Sequence, residues 1–176
     1  MSKATAAARA DTGAVTANDA FVAFERVQKS YDGETLVVKD LNLAIARGEF
    51  LTLLGPSGSG KTTSLMMLAG FETATSGEIR LAGQPINAVP PHRRGIGMVF
   101  QNYALFPHMT VGENLAFPLQ VRGLGRAERE ARVMRALDMV QMGRLANRRP
   151  AQLSGGQQQR IALARALVFD PELVLM

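Results

Sequence analysis

Cysteine and tryptophan are both absent from these 176 residues. The missing cysteine excludes disulfides and thiolate metal sites, and is compatible with a reducing compartment. Histidine is scarce: the only two, His92 and His108, lie far apart in sequence, which argues against a histidine-rich metal centre. No apolar run approaches the roughly 18 residues that cross a bilayer, so any membrane association has to come through a partner. The first twenty residues are rich in Ala, Thr and Asp. They lack the continuous apolar stretch of a secretory signal and read as a flexible tail.

What is present suits one globular domain. Apolar residues make up 47%, and the length allows one real core but not two. The net charge is +5 and the sequence pI about 10.2, with much of the excess between Arg122 and Arg165. A nucleic-acid surface is one reading of that excess. A solvated helix face is the other and is favoured. Val133, Leu137 and Val140 recur at i, i+4 and i+7 as a buried stripe, and Glu128 can pair with Arg132 on the outside. No aromatic residues interleave with these arginines to stack bases, so no nucleic-acid partner is expected.

Alternation predicts a strand over Phe21–Tyr31, a turn at Asp32-Gly33 and a returning strand over Leu36–Ile45. Phe50–Leu54 is a continuous apolar run, the pattern of a strand buried on both faces. Lys61–Ala69 reads as a helix with Gly70 as its C′ residue. Further strands are predicted at Gly77–Leu81, Gly95–Phe100 and Glu172–Met176. Thr110 with Glu113 has the spacing of a capping box, and Ser154 is the expected N-cap of a helix running to about Val168. Buried strands alternating with helices imply an α/β core with a mainly parallel sheet, and the opening strands form a smaller antiparallel layer.

One segment carries explicit chemistry. Gly55-Pro56-Ser57-Gly58-Ser59-Gly60-Lys61-Thr62 fits G-x-x-x-x-G-K-[ST], between a predicted strand and a predicted helix. Gly55, Gly58 and Gly60 allow positive φ and a close backbone approach, so that N–H groups at a helix N-terminus can face phosphate oxygens. Lys61 supplies positive charge for the terminal phosphates, and Thr62 a hydroxyl for magnesium, which prefers oxygen ligands. A random chain of this length matches the pattern in roughly one case in a hundred or fewer. Leu153-Ser154-Gly155-Gly156-Gln157 is a second phosphate reader by the same physics, a hydroxyl and glycine amides at a helix N-terminus.

With these motifs in this order, residues 21–176 resemble the ATP-binding subunits of ABC transporters. The resemblance implies an incomplete P-loop NTPase core with a small antiparallel layer and a helical signature subdomain. It assigns Tyr31 to adenine stacking, and Gly55, Ser57, Gly58, Ser59, Gly60, Lys61, Thr62 and Thr63 to the phosphates. It assigns Gln101 to magnesium and the attacking water. Ser154, Gly155, Gly156 and Gln157 would read the γ-phosphate held by a second subunit docked head to tail. ATP and Mg2+ are the implied cofactors.

Pro90–Gln101 and Leu105–Val111 look like the importer branch, most similar to spermidine and putrescine importers. Sugar, phosphonate and iron importers share related wording. The resemblance places the subunit on the cytoplasmic face of the membrane as a peripheral component. Phe106 and Met109 are candidate permease contacts, with core packing as their alternative role, and a periplasmic solute-binding protein is an indirect partner. In the resembling family the run matched by Leu173–Met176 is followed by the acidic residues of the magnesium site, and later by a switch histidine. The expectation is therefore a gene that continues with Asp-Glu after Met176. A non-hydrolysing nucleotide-binding fragment is the alternative.

Overall fold

The structure, a computed structural model, describes residues 20–176. The tail expected over residues 1–20 lies outside the described residues but for Ala20. The chain falls into two compact units, the first ending at Arg94 and the second beginning at Gly95.

The first unit is built on an antiparallel sheet. Strand β1 (Val22–Ser30) pairs on one side with β2 (Leu36–Ile45) and on the other with β3 (Ser76–Leu81), and β3 carries the short β4 (Gln84–Pro85). As the central strand, β1 buries Val22, Ala23, Phe24 and Val27. Its register shifts between Glu25 and Gln28 against β3, where Arg26 takes φ 49°. Such a bulge inserts an unpaired residue and bends the strand. Gly77 faces it, and a Cβ there would collide with the Arg26 carbonyl oxygen, so only glycine fits.

Helix α1 (Lys61–Ala69) follows the sequence reading closely. It ends at Gly70 with φ 88°, whose N–H donates to the Met66 carbonyl at 2.9 Å. The buried Arg94 guanidinium covers that end, donating to the carbonyls of Met67 at 2.7 Å and Leu68 at 2.9 Å. A cation there satisfies orphan carbonyls and complements the helix dipole. Burial pulls the Arg94 pKa below the ordinary arginine value.

The predicted strand over Phe50–Leu54 does not form. Residues 49–56 have no regular structure, and Phe50 and Leu54 are 87% and 67% exposed. Alternation survives, because Leu51 and Leu53 are half-buried between exposed neighbours. An apolar run registers a preference for burial. It carries no information on hydrogen-bonded neighbours, and a strand needs both.

In the second unit β5 (Ile96–Met98) and β6 (Leu173–Leu175) form a parallel pair, the parallel pairing seen among the described residues. Helices α2 (Val111–Val121), α3 (Arg126–Met139) and α4 (Gly155–Leu167) pack around Val111, Leu115, Leu119, Leu137 and Ile161, all fully buried. Val133 and Leu137 face this core and Val140 packs against it. Arg132 meets Glu128 at 3.0 Å, as the spacing predicted, and also reaches Asp170 at 3.0 Å.

Candidate phosphate-binding site

The glycine loop runs from Gly55 to the first turn of α1. Gly58 and Gly60 take φ 78° and 86°, and Gly60 is the N-cap. A Cβ on Gly60 would lie 2.9 Å from Val38 Cγ2 and 3.0 Å from the Val37 carbonyl oxygen, so the loop seats tightly on β2. Gly55 is not among the residues at positive φ, which corrects one expectation. Its smallness serves packing instead, since a Cβ would sit 3.0 Å from Ser59 Oγ. With no side-chain cap on α1, the first-turn N–H groups have no intrahelical acceptor and the positive end of the dipole faces the loop.

Lys61 folds back into this loop. Its ammonium donates to the carbonyl oxygens of Gly55 and Pro56, each at 2.7 Å, and to Ser59 Oγ at 3.1 Å. An ammonium has three donors, and all three are engaged. Thr62 and Ser57 are exposed, and Thr63 is half-buried behind them.

Tyr31 follows β1 directly and is 61% exposed. The Lys29 ammonium lies 4.6 Å from its ring centroid. Lys29 is itself buried and donates to the Thr73 carbonyl at 2.9 Å, with Glu72 at 3.0 Å. The turn after Tyr31 is tied by Asp32, which accepts from Thr35 N–H at 2.7 Å and Glu34 N–H at 2.9 Å. These amides and the Ser30 hydroxyl hold its carboxyl well below the usual carboxylate range.

The remaining predicted site residues lie in the second unit. Ser154 caps α4 in a capping box, accepting from Gln157 N–H at 3.3 Å while Gln157 Oε1 accepts from Ser154 N–H at 3.0 Å. Ser154, Gly155 and Gly156 are exposed, so the cap leaves this helix end open to a ligand. Gln101 is exposed at the start of an irregular loop. In that loop Tyr103 and Ala104 take φ 62° and 46°, a left-handed conformation that costs non-glycine residues of order 1–3 kcal/mol each. Arg165 on α4 donates to both carbonyls, to Ala104 at 2.7 Å and Tyr103 at 2.8 Å.

Phe106 and Met109 are half-buried. The Phe106 ring stands 5.0 Å from that of Phe117 at 64°. Asn114, fully buried, ties this loop to α2. Its Oδ1 accepts from Phe106 N–H at 2.8 Å, and its Nδ2 donates to the carbonyls of Phe106, Met109 and Thr110. Sequence reading passed over Asn114, Lys29, Arg94 and Arg165. A polar residue amid the apolar positions of a helix was the available signal for Asn114. The other three carried none, because a lone cation reads as solvated until its partners are placed.

The profile of the family described as ABC transporter matches residues 38–176. A spermidine/putrescine import ATP-binding protein, PotA, of Thermobifida fusca is 52% identical over 158 residues, covering 88% of this chain and 41% of that protein. The sn-glycerol-3-phosphate import ATP-binding protein UgpC of Burkholderia thailandensis is 49% identical over 156 residues, covering 89% of this chain and 43% of that protein. The ATP-binding cassette MJ0796, solved as a dimer in a post-hydrolysis state with ADP and Pi, gives a TM-score of 0.78 at 37% identity, over 87% of this chain and 72% of that one. The chain thus spans about two fifths of the length of the curated relatives it matches.

Proposed function

Because this chain belongs to the ABC transporter family, we propose that it binds ATP with magnesium and works as the ATP-hydrolysing subunit of an importer for polyamines. The observation that carries the reading is the glycine loop at the uncapped N-terminus of α1, with the Lys61 ammonium drawn into it. Loop amides and the helix dipole favour a multiply charged anion there, and Lys61 exchanges its loop acceptors for β- and γ-phosphate oxygens. The exposed Thr62 hydroxyl offers an oxygen ligand suited to magnesium, which when bound would neutralise phosphate charge, and the resemblance assigns Gln101 to the metal and the attacking water. Tyr31 stacks on the adenine.

Ser154 to Gln157 would serve the ATP of a second subunit. The dimeric state of the cassette MJ0796 supports this arrangement. Permease subunits would meet the surface around Phe106 and Met109, and a periplasmic solute-binding protein would deliver the solute. No helix among the described residues is long and apolar enough to cross a membrane. Attachment to the cytoplasmic face would run through the permease.

Lys61→Ala tests the nucleotide site. Removing a charged donor from the phosphates should weaken MgATP binding by about 1.5–3 kcal/mol, read as Kd by titration against folded wild type. Equal affinity would sink the assignment. One observation favours a second solute: the sn-glycerol-3-phosphate importer's ATPase is nearly as similar as the polyamine ones.

A further inference from the structure

Arg165 sits about three helical turns from Ser154 on the same helix, near the far end of α4. It is half-buried, and burial pulls its pKa below the ordinary arginine value. Taking a guanidinium out of water is unfavourable unless its donors are well matched. Here two of its nitrogens reach two consecutive carbonyls, those of Tyr103 and Ala104, at 2.8 Å and 2.7 Å. Its charge also lies 5.8 Å from the Phe106 ring centroid.

The two carbonyls belong to the two left-handed residues of the loop. The same loop contains a bond from Ala104 N–H to the Asn102 carbonyl at 2.7 Å. With Tyr103 at positive φ between them, this is the rare, strained kind of γ-turn. Such a backbone persists only where its surroundings over-determine it, and strain of this kind clusters at functional sites. The planar fork of Arg165 supplies that constraint at the point where the chain leaves Gln101.

We propose that Arg165 is a positioning residue for ATP hydrolysis: it clamps the Tyr103-Ala104 turn to α4, and so fixes Gln101 relative to the helix that Ser154 caps. The proposal rests on the role assigned to Gln101 above. Lysine replaces arginine only in part, because only the planar fork addresses two neighbouring carbonyls at once. A single rigid helix then joins the signature end to the Gln101 loop, so a movement of either is passed to the other.

The test compares Arg165→Met, Arg165→Lys and Arg165→Met combined with Ala104→Gly in the full-length protein. Amide exchange of residues 101–106 and the ATPase kcat and KM are measured together. Arg165→Met is expected to speed loop exchange and to lower kcat about tenfold or more, with the KM for MgATP changing less than about twofold. Arg165→Lys should fall between Met and wild type. Adding Ala104→Gly should recover about threefold or more of the lost kcat, since glycine takes positive φ without the clamp.

Unchanged loop exchange overturns the proposal, as does faster exchange with wild-type kcat, or a loss confined to KM. If Arg165→Met does not fold, Arg165→Lys carries the test alone. The same split of smaller size supports the proposal, and wild-type exchange and kcat overturn it. Gln101→Ala separates the underlying reading. Wild-type hydrolysis in that variant would remove the role of Gln101 itself, whatever Arg165 does to the loop.

Discussion

In the proposed stacking role, Tyr31 has only one of its two ring faces free. Lys29 stands 4.6 Å from the ring centroid on the other side, held by Thr73 and Glu72, while the ring remains 61% exposed. Stacking depends on the ring and not on the hydroxyl. Tyr31→Ala should therefore weaken ATP and ADP alike by about 1–3 kcal/mol, and Tyr31→Phe should be mild. Parallel Kd titrations with both nucleotides check this, and a selective loss of ATP would point to another role. The next residue gives a pH prediction. Asp32 has a depressed folded pKa, so its stabilising effect is complete above the ordinary aspartate value of 3.8 and is lost as pH falls through the lower folded value. Urea melts of wild type and Asp32→Asn should accordingly differ most above pH 3.8 and converge below it. A gap that widens on acidification would contradict the turn geometry.

At the level of elements, loops and helix ends carry the candidate site, and their anchoring is open to test. Asn114→Ala removes four hydrogen bonds that join the 106–110 loop to α2. It should cost about 1–3 kcal/mol in a denaturant melt and speed amide exchange around Phe106. Gly77→Ala should lose more than about 1 kcal/mol, because positive φ and the Arg26 carbonyl both oppose a Cβ. A neutral alanine there would mean that the bulge relaxes freely. Elements with local signals were legible in the sequence. Helix α1 with its Gly70 terminus, the capping box at Thr110, the N-cap at Ser154, and β2 all follow from spacing and residue type. The strand predicted over Phe50–Leu54 was not to be had that way, because pairing depends on which neighbours are present. The Tyr103-Ala104 turn was hidden for a related reason. Neither residue prefers positive φ, and its cause, Arg165, lies some sixty residues away.

At the scale of the whole molecule, the family was legible because the Gly55–Thr62 loop, the Leu153–Gln157 segment and their flanking elements occur in one order along the chain. The proposed solute was not, because the importer-like wording around Pro90 to Val111 is shared by importers of different solutes. Relatives serving a polyamine and a glycerol phosphate differ little in identity to this segment. Complementation with the complete gene and its permease decides between them: uptake of spermidine or putrescine is expected, and restored sn-glycerol-3-phosphate uptake alone would reject the polyamine reading. The tryptophan-free composition has an optical consequence. The only two tyrosines, Tyr31 and Tyr103, lie one in each unit, the first at the proposed base-stacking position and the second in the clamped turn. With no indole to drain their excited states, the emission of this chain comes from these two phenols. Tyr31→Phe leaves a lone fluorophore that reports on the turn, and Tyr103→Phe leaves one that reports on the nucleotide, so the two events can be followed separately without an attached dye.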